Sequence, residues 1–459
     1  MELQSTNPHD QTVVGTIRIS TSTDIENAVL AARKAFEVWR KTNINIRCAL
    51  VGNLVKKLEE NRDKLAHLMT MEMGKPLQQS LGEIDSEIEF VRYYSANGAE
   101  FLSDEIVFKN NTDVSKVTYE PYGVCACICP WNFPLSMVTS GVLPAIIAGN
   151  TVVVKPSEYT SLSQKLVIDL INQCDIPEGV VNTVIGGADV GAKLIDSNVD
   201  LVWFTGSTKA GLNIYKKCGE KFVKALLEMG GSSAGIVMED AFLENAVENL
   251  YWARFLNCGQ VCTAVKRLFV HESIYEEFMS LYLKKISGIK VGNPSDNNDI
   301  GPLINKKQLN LIIDQVLDAK TQGAEIVMGG KTPNNAELSQ GNYYEPTVIT
   351  NISKSMRVFR EETFGPVLPV IKFKTDNEVI ALANDSEYGL SAEIYTSNYE
   401  RGEKIAREIQ SGTVAINTDN FFRPESPFGG YKKSGSGREY GKIGMQEFSQ
   451  VKVIAISKI

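Results

Sequence analysis

Apolar residues take up helical spacing early in the chain. Ile25, Val29, Ala32 and Phe36 fall on one face of a helix, and Thr23 with Glu26 supplies a T-x-x-E capping box at its start. Leu50, Leu54 and Leu58, at steps of four, predict a second amphipathic run. From residue 123 the pattern changes. Short apolar runs, GVCACIC (123–129), TVVVK (151–155), VNTVI (181–185), LVWFT (201–205) and VKALLE (223–228), alternate with helical stretches. That alternation predicts an α/β fold with a parallel, doubly wound sheet. Such sheets bind ligands at the carboxyl ends of their strands. Each predicted end carries polar or glycine-rich text: PWNFP, KPSE, IGGADVG, FTGS and EMGG. The G-x-G-x-x-G fingerprint is absent, and GSTKAG (206–211) is a poor substitute. A second run of strands and helices, residues 232 to 430, predicts another α/β domain. EIVFKN and VSKVTYE flank an N-N-T-D turn, which is a hairpin signal. The C-terminal VKVIAISKI is a further strand with no nearby partner. Open-edged strands of this kind predict an arm that pairs elsewhere.

Length and composition narrow the function. A chain of 459 residues is too long for one core. Its net charge is −8, from 47 Lys and Arg against 55 Asp and Glu, and its basic clusters are pairs such as Lys432 and Lys433. Neither nucleic acid nor an anionic membrane surface is expected as partner, because both need clustered cations. Apolar stretches such as GVLPAIIAG are too short to span a bilayer. The opening MELQSTNPHD has no basic region followed by an apolar one, so a cytoplasmic protein is expected. Eight cysteines in this length do not make a disulfide framework. Cys125, Cys127 and Cys129 should share one strand face, where thiols this close cannot close a metal tetrahedron unaided. They read as buried small hydrophobes, and no metal is expected. The histidines are His9, His67 and His271, none near a candidate motif, which argues against Cys-His or Ser-His catalysis. Cys262, in NCGQVC, sits at the end of a helical segment. Its thiol would need a base or a positive field to react.

Eight motifs decide between an inert thiol and a nucleophile. PWNFP, KPSE, FTGST, EMGG, GQ-x-C, EE-x-FGP (361–366), PFGG (427–430) and SG-x-GRE (434–439) stand in one order across residues 130–439. This set resembles the aldehyde dehydrogenase superfamily, over essentially the whole chain. The resemblance implies a Rossmann-like NAD-binding domain (1–102 and 122–230), a second α/β catalytic domain (231–432) and a β-strand oligomerisation arm (103–121 and 446–459). It implies Cys262 as nucleophile, Asn132 with the Cys262 backbone N–H as oxyanion hole, and Glu228 as general base. NAD is the implied cofactor, with NADP as an alternative. Lys155 and Glu158 would hold the adenosine ribose, and a carboxylate there favours a free 2′-hydroxyl. Gly206 and Ser207 would meet the pyrophosphate at a helix N-terminus. Glu362 would bind the nicotinamide ribose, with Phe364 beside it. Cys129, Pro130, Trp131, Ser157, Gly187, Gly191, Phe204, Thr205, Met229 and Gly230 complete the implied cofactor contacts.

The resemblance also bears on substrate and assembly. EMGKP (72–76), RYYS (92–95), EFLS (100–103), GNYY-x-PT (341–347), ANDSEYGLS (383–391) and FGGYKKSG (428–435) are most similar to bacterial succinate-semialdehyde dehydrogenases. A non-acylating oxidation of an aliphatic aldehyde, succinate semialdehyde first among them, is therefore expected. An acylating enzyme that passes the thioester to CoA or phosphate is the alternative, and Glu228 argues against it. A carboxylate-bearing substrate needs a cation at the tunnel mouth. Arg423 is the candidate, between the aromatic positions Phe422 and Phe428, with Phe133 and Met137 as further substrate contacts. Where many relatives place an arginine nearer PFGG, this chain has Glu425. Lys266 and Arg267 follow Cys262 in a strand-like run and are weaker candidates. Cys258 could approach Cys262 if the intervening residues are helical, which would allow an inhibitory disulfide. Strands placed like 103–121 and the C-terminus cross to a neighbouring subunit in the family, which implies a homodimer or homotetramer.

Overall fold

The computed structural model describes residues 1–457. All five predicted apolar runs form strands of one sheet, in the order Gly435–Ser436, Lys224–Glu228, Leu201–Thr205, Val124–Ile128, Thr151–Lys155, Val181–Thr183. The last five run parallel, and the two-residue strand from the far end of the chain joins antiparallel. Helices cover both faces, so the strands read as unbroken apolar runs. Cys125, Cys127 and Cys129 pack in one core layer with Trp203 and Val154. The alternate residues Val124, Ala126 and Ile128 pack in the other, against Ile25, Val29 and Ala32. Cys125 and Cys127 sulfurs lie 3.7 Å apart.

The first helix, Ser22–Trp39, is capped one half-turn earlier than the T-x-x-E pattern suggests. Thr21 is the N-cap and Asp24 closes the box, with Thr21 N–H donating to Asp24 Oδ2 at 2.7 Å. Both pairs fit the signature. Asp24 also takes a hydrogen bond from Arg18 at 2.9 Å, and that extra partner favours the earlier register. The second run comprises Ile44–Gly52 and Leu54–Glu60, joined through Asn53, with Leu54 and Leu58 buried. An N-terminal hairpin, Glu2–Thr6 with Val13–Arg18, has no counterpart in the sequence reading.

The second sheet runs Glu325–Met328, Thr347–Thr350, Val367–Phe373, Val265–His271, Ser233–Val237, Ser391–Tyr395, Thr413–Ile416. It is parallel except at its first strand. The chain then returns to the first sheet, and the helix Gly441–Glu447 packs against the long helix Leu77–Phe101.

The N-N-T-D turn forms as expected. Asn110 Oδ1 accepts from the backbone N–H groups of Thr112 and Asp113, and Glu105–Lys109 pairs with Asp113–Pro121. The C-terminal run, by contrast, does have a partner in its own chain. Ser449–Ser457 lies antiparallel to Asp113–Pro121, from Ser449 opposite Pro121 to Ser457 opposite Asp113. The two are remote in sequence, and only the return of the chain after residue 430 brings them together. Residues 458 and 459 of the expected arm lie outside the described residues. Among the described residues no helix is long and apolar enough to cross a membrane.

Candidate active site

One cavity of about 480 Å³ opens where the two sheets face each other. Asn132, Glu228 and Cys262 all line it, although they come from three separate parts of the chain.

Cys262 is placed by an unusual turn. Leaving the helix Leu243–Phe255, the chain puts Asn257, Cys258 and Gly259 in succession at φ 51°, 56° and 71°. Left-handed backbone is costly for the first two and must be held by its surroundings. Asn257 supplies much of that hold: its N–H donates to Gln79 Oε1 and its Nδ2 to the Asn132 carbonyl, both at 2.9 Å. Gly259 cannot be replaced, since a Cβ there would lie 2.5 Å from the Gly365 carbonyl oxygen. Gln260 is buried and locks the loop from beneath, accepting from Ile304 N–H at 2.9 Å. Asn132 is tied to this loop by Nδ2, which donates to the Gln260 carbonyl at 3.1 Å. Its second N–H and the Cys262 backbone N–H are committed to no described protein group. Asn257 and Gln260 escaped the sequence reading, and the only signal for them was membership of the NCGQVC motif.

The wall opposite is also built on polar contacts. Glu83 Oε1 accepts from Leu135 and Ser136 N–H at 2.9 and 3.0 Å, satisfying the start of the helix Ser136–Ile147. Lys75 pairs with Glu83 and sits 4.3 Å from the centre of the Phe133 ring. This buried pair fixes the Asn132–Phe133 corner.

Glu228 ends its strand fully enclosed, and its Oε2 has no hydrogen-bond partner. Burial raises its carboxyl well above the ordinary range, and the neighbouring Glu439 adds to the rise. Burial likewise raises Glu439, to about 7, despite the hydrogen bond it takes from Trp203 Nε1 at 2.6 Å. The Cys262 thiol is pushed up to about 12 by burial, opposed by Lys266 and reinforced by Glu362, Glu228 and Glu439. Such a thiol needs a base before it can attack.

Of the expected cofactor residues, Pro130, Trp131, Thr205, Gly206, Ser207, Met229, Gly230, Glu362 and Phe364 line this cavity. Glu362 Oε1 accepts from Gly231 N–H at 3.0 Å and pairs with Lys266 at 3.2 Å. Trp131 and Phe364 meet edge to face, 5.6 Å between ring centres. Lys155, Ser157, Glu158, Gly187 and Gly191 lie outside the lining, clustered at the neighbouring strand ends. There Lys155 Nζ donates to the Pro156 and Gly186 carbonyls at 2.8 Å and reaches Glu158 at 3.5 Å. Two residues depart from expectation. Cys129 and Phe204 are buried in the core on opposite faces of the sheet, away from the cavity wall. Strand alternation turns both side chains inward, and Phe204 instead supports Gly206 from below.

Phe133, Met137, Phe422 and Phe428 line the substrate side. Arg423 does not: it is exposed and absent from the lining, although Phe421 and Phe422 just before it line the cavity. Lys266 is no substitute, being spent on the Val261 and Cys262 carbonyls and Glu362. Arg267 is buried against the Ser232 and Ala383 carbonyls. Sequence reasoning missed Trp252, Leu256, Phe421, Tyr440, Glu393 and Asp419, all of which line the cavity. Glu393 did carry a signal, as a lone charge inside the apolar strand SAEIY. Cys258 is buried in the second core in the left-handed turn, and all eight cysteines are free thiols.

The arrangement joins a thiol, an unpaired carboxyl and two free N–H donors beside a glycine-rich strand-end crevice. It suits addition to a carbonyl followed by hydrolysis. The chain matches the Aldehyde dehydrogenase family over residues 1–454. It is 37% identical to the 3,6-anhydro-alpha-L-galactose dehydrogenase of a Vibrio species, with 99% of this chain and 95% of that one covered. It is 35% identical to the NADP(+) succinate-semialdehyde dehydrogenase of Escherichia coli, covering 98% and 93%. The crystal structure of Staphylococcus aureus betaine aldehyde dehydrogenase in complex with NAD+ superposes with a TM-score of 0.96 at 36% identity, covering 100% of this chain and 92% of that one.

Proposed function

The chain belongs to the aldehyde dehydrogenase family, and from that membership we propose that it oxidises an aliphatic aldehyde to its carboxylate through a thioester on Cys262, released to water. The observation that carries this reading is the convergence of Cys262, Asn132 and Glu228 on one cavity.

The strand-end crevice fits a dinucleotide. Ser207 caps the helix Thr208–Lys221, whose N-terminus suits a pyrophosphate. Thr205 Oγ1 is buried there without a partner. Bound in that crevice, NAD(P) supplies the hydride acceptor. Every other step falls to the protein. Glu228, once ionised, takes the thiol proton, and Cys262 Sγ adds to the carbonyl carbon. The Asn132 amide and the Cys262 backbone N–H receive the oxygen as charge builds on it. After oxidation Glu228, having released the thiol proton to solvent, draws a proton from water as that water attacks the thioester; the carbon–sulfur bond then breaks, Cys262 Sγ takes that proton back, and the acid leaves.

Rapid-mixing kinetics test this reading. Cys262→Ala removes both the first-turnover burst of reduced cofactor and steady turnover. Glu228→Gln slows the burst as well as steady turnover, each roughly 10²- to 10⁴-fold, the usual worth of a general base. A burst at the wild-type rate would confine Glu228 to water activation, and unchanged kinetics would remove it from the mechanism. Turnover that requires CoA would establish the acylating alternative.

Glu158 beside Lys155 supports a preference for NAD, because a carboxylate repels a 2′-phosphate. A lower KM for NAD than for NADP is expected, with the gap narrowed in Glu158→Ala. A wild-type preference for NADP would refute it. Succinate semialdehyde finds little support in the geometry, since Arg423, the cation that would meet its carboxylate, stands outside the cavity.

A further inference from the structure

The cavity wall has a one-sided charge. Glu228, Glu362, Glu393, Asp419 and Glu439 line it, and among the described residues no lysine, arginine or histidine does. Glu228 stands at the thiol, Glu362 pairs with Lys266, and Glu439 takes a hydrogen bond from Trp203. Glu393 has only a neutral hydroxyl as partner and Asp419 has no side-chain partner among the described residues, so neither faces a counter-charge.

These two come from adjacent parallel strands of the second sheet, Ser391–Tyr395 and Thr413–Ile416, with Glu393 opposite Ala415 and Asp419 just beyond the strand end. Glu393 is only 2% exposed. Its Oε2 accepts from Tyr395 hydroxyl at 2.6 Å, while Oε1 takes no hydrogen bond from any described residue. The charged and titratable groups facing it are Tyr395, Asp419 and Tyr282, whose hydroxyl donates to the Leu250 carbonyl. None is a cation. Every buried cation nearby is committed elsewhere: Arg254 to the Val265 and Thr363 carbonyls, Lys266 to the Cys262 loop, Lys75 to Glu83. Burying a carboxyl without a counter-charge is costly, and burial pushes Glu393 up to about 8 and raises Asp419 as well. The same cavity is lined by Trp252, Phe421 and Phe422, whose ring faces attract cations. An acidic, aromatic lining with no cation among the described residues is poorly matched to an anionic substrate and well matched to a cationic one.

We propose that the aldehyde carries an ammonium group at the end remote from its carbonyl, held by Glu393 and Asp419 among the aromatic side chains while the carbonyl sits at Cys262. This rests on the aldehyde-oxidising reading above and names its substrate class.

The test is a charge series on the intact enzyme. 4-(Trimethylammonio)butanal, its uncharged isostere 5,5-dimethylhexanal and succinate semialdehyde are compared by kcat/KM with saturating cofactor. The ammonium aldehyde is expected to exceed the isostere at least tenfold, with the carboxylate lowest. In Glu393→Gln and in Asp419→Asn the ammonium-to-isostere ratio should fall at least fivefold. Tetramethylammonium should also slow alkylation of Cys262 by iodoacetamide in the wild type, a readout independent of the variants' folding. Equal turnover of ammonium aldehyde and isostere, or preference for the carboxylate, overturns the substrate class and leaves aldehyde oxidation standing. A ratio unmoved in both variants overturns the assignment to these two side chains. Failure to oxidise any of the three overturns the underlying reading, and this proposal with it.

Discussion

Cys262 carries its thiol proton well into alkaline pH, with Lys266 alone pulling the other way against burial and three carboxyls. Its reactivity is therefore set by its neighbours' charge. Glu439 raises both Glu228 and Cys262 electrostatically. Neutralising it removes a negative charge, so both groups should release their protons at lower pH. In Glu439→Gln the alkaline rise of kcat/KM is expected to move toward acid, and a profile that stays put or moves the other way would show the coupling to be absent. Much of the candidate site was legible residue by residue. Cys262, Asn132 and Glu228 stand in motifs of fixed text and line one cavity. Asn257 and Gln260 were hidden because their work is to hold a left-handed turn, and nothing in their neighbours' polarity announces positive φ. Arg423 misled because a loop of aromatics predicts a cavity wall without saying which of its residues turns outward.

Among the elements, the parallel strands declared themselves because both faces are buried and the apolar runs are unbroken. The arm strands declared themselves by alternation, but pairing between Asp113–Pro121 and Ser449–Ser457 is a contact across most of the chain, which no local pattern encodes. The long helix Leu77–Phe101 carries a stability cost that can be measured. Burial raises its Glu87 to about 7 from 4.5, against the opposing hydroxyls of Thr139 and Ser136, with Glu83 and Glu439 adding to the rise. The unfolded chain loses this proton near 4.5 while the folded one holds it to about 7, so the fold weakens as pH climbs between those values and levels off above them. Glu87→Gln escapes the penalty. Relative to wild type it should be equally stable below pH 4.5 and gain on the order of 3 kcal/mol above pH 7. Chemical denaturation at both pH values reads this directly, and an equal gain at both would mean a packing effect instead.

At the scale of the molecule, the arm is a three-stranded sheet with apolar side chains on its surface. Ile106, Val107, Phe108, Val451 and Val453 are each more than half exposed. A patch of that kind is the mark of a surface that is covered in use. A homodimer or tetramer joined through the arm is expected, and deleting residues 451–459 should lower both oligomer mass and melting temperature. Light scattering that finds the intact chain monomeric and active would end this reading. The short strand Gly435–Ser436, which completes the sheet beside Glu228, has a different consequence, one for biosynthesis. This strand leaves the ribosome roughly two hundred residues after Glu228 itself, an interval of roughly 10–40 s at ordinary translation speeds. Through that time the nascent chain carries Cys262 without a finished cavity around it. The proposed site is thus assembled only when nearly the whole polypeptide has been made.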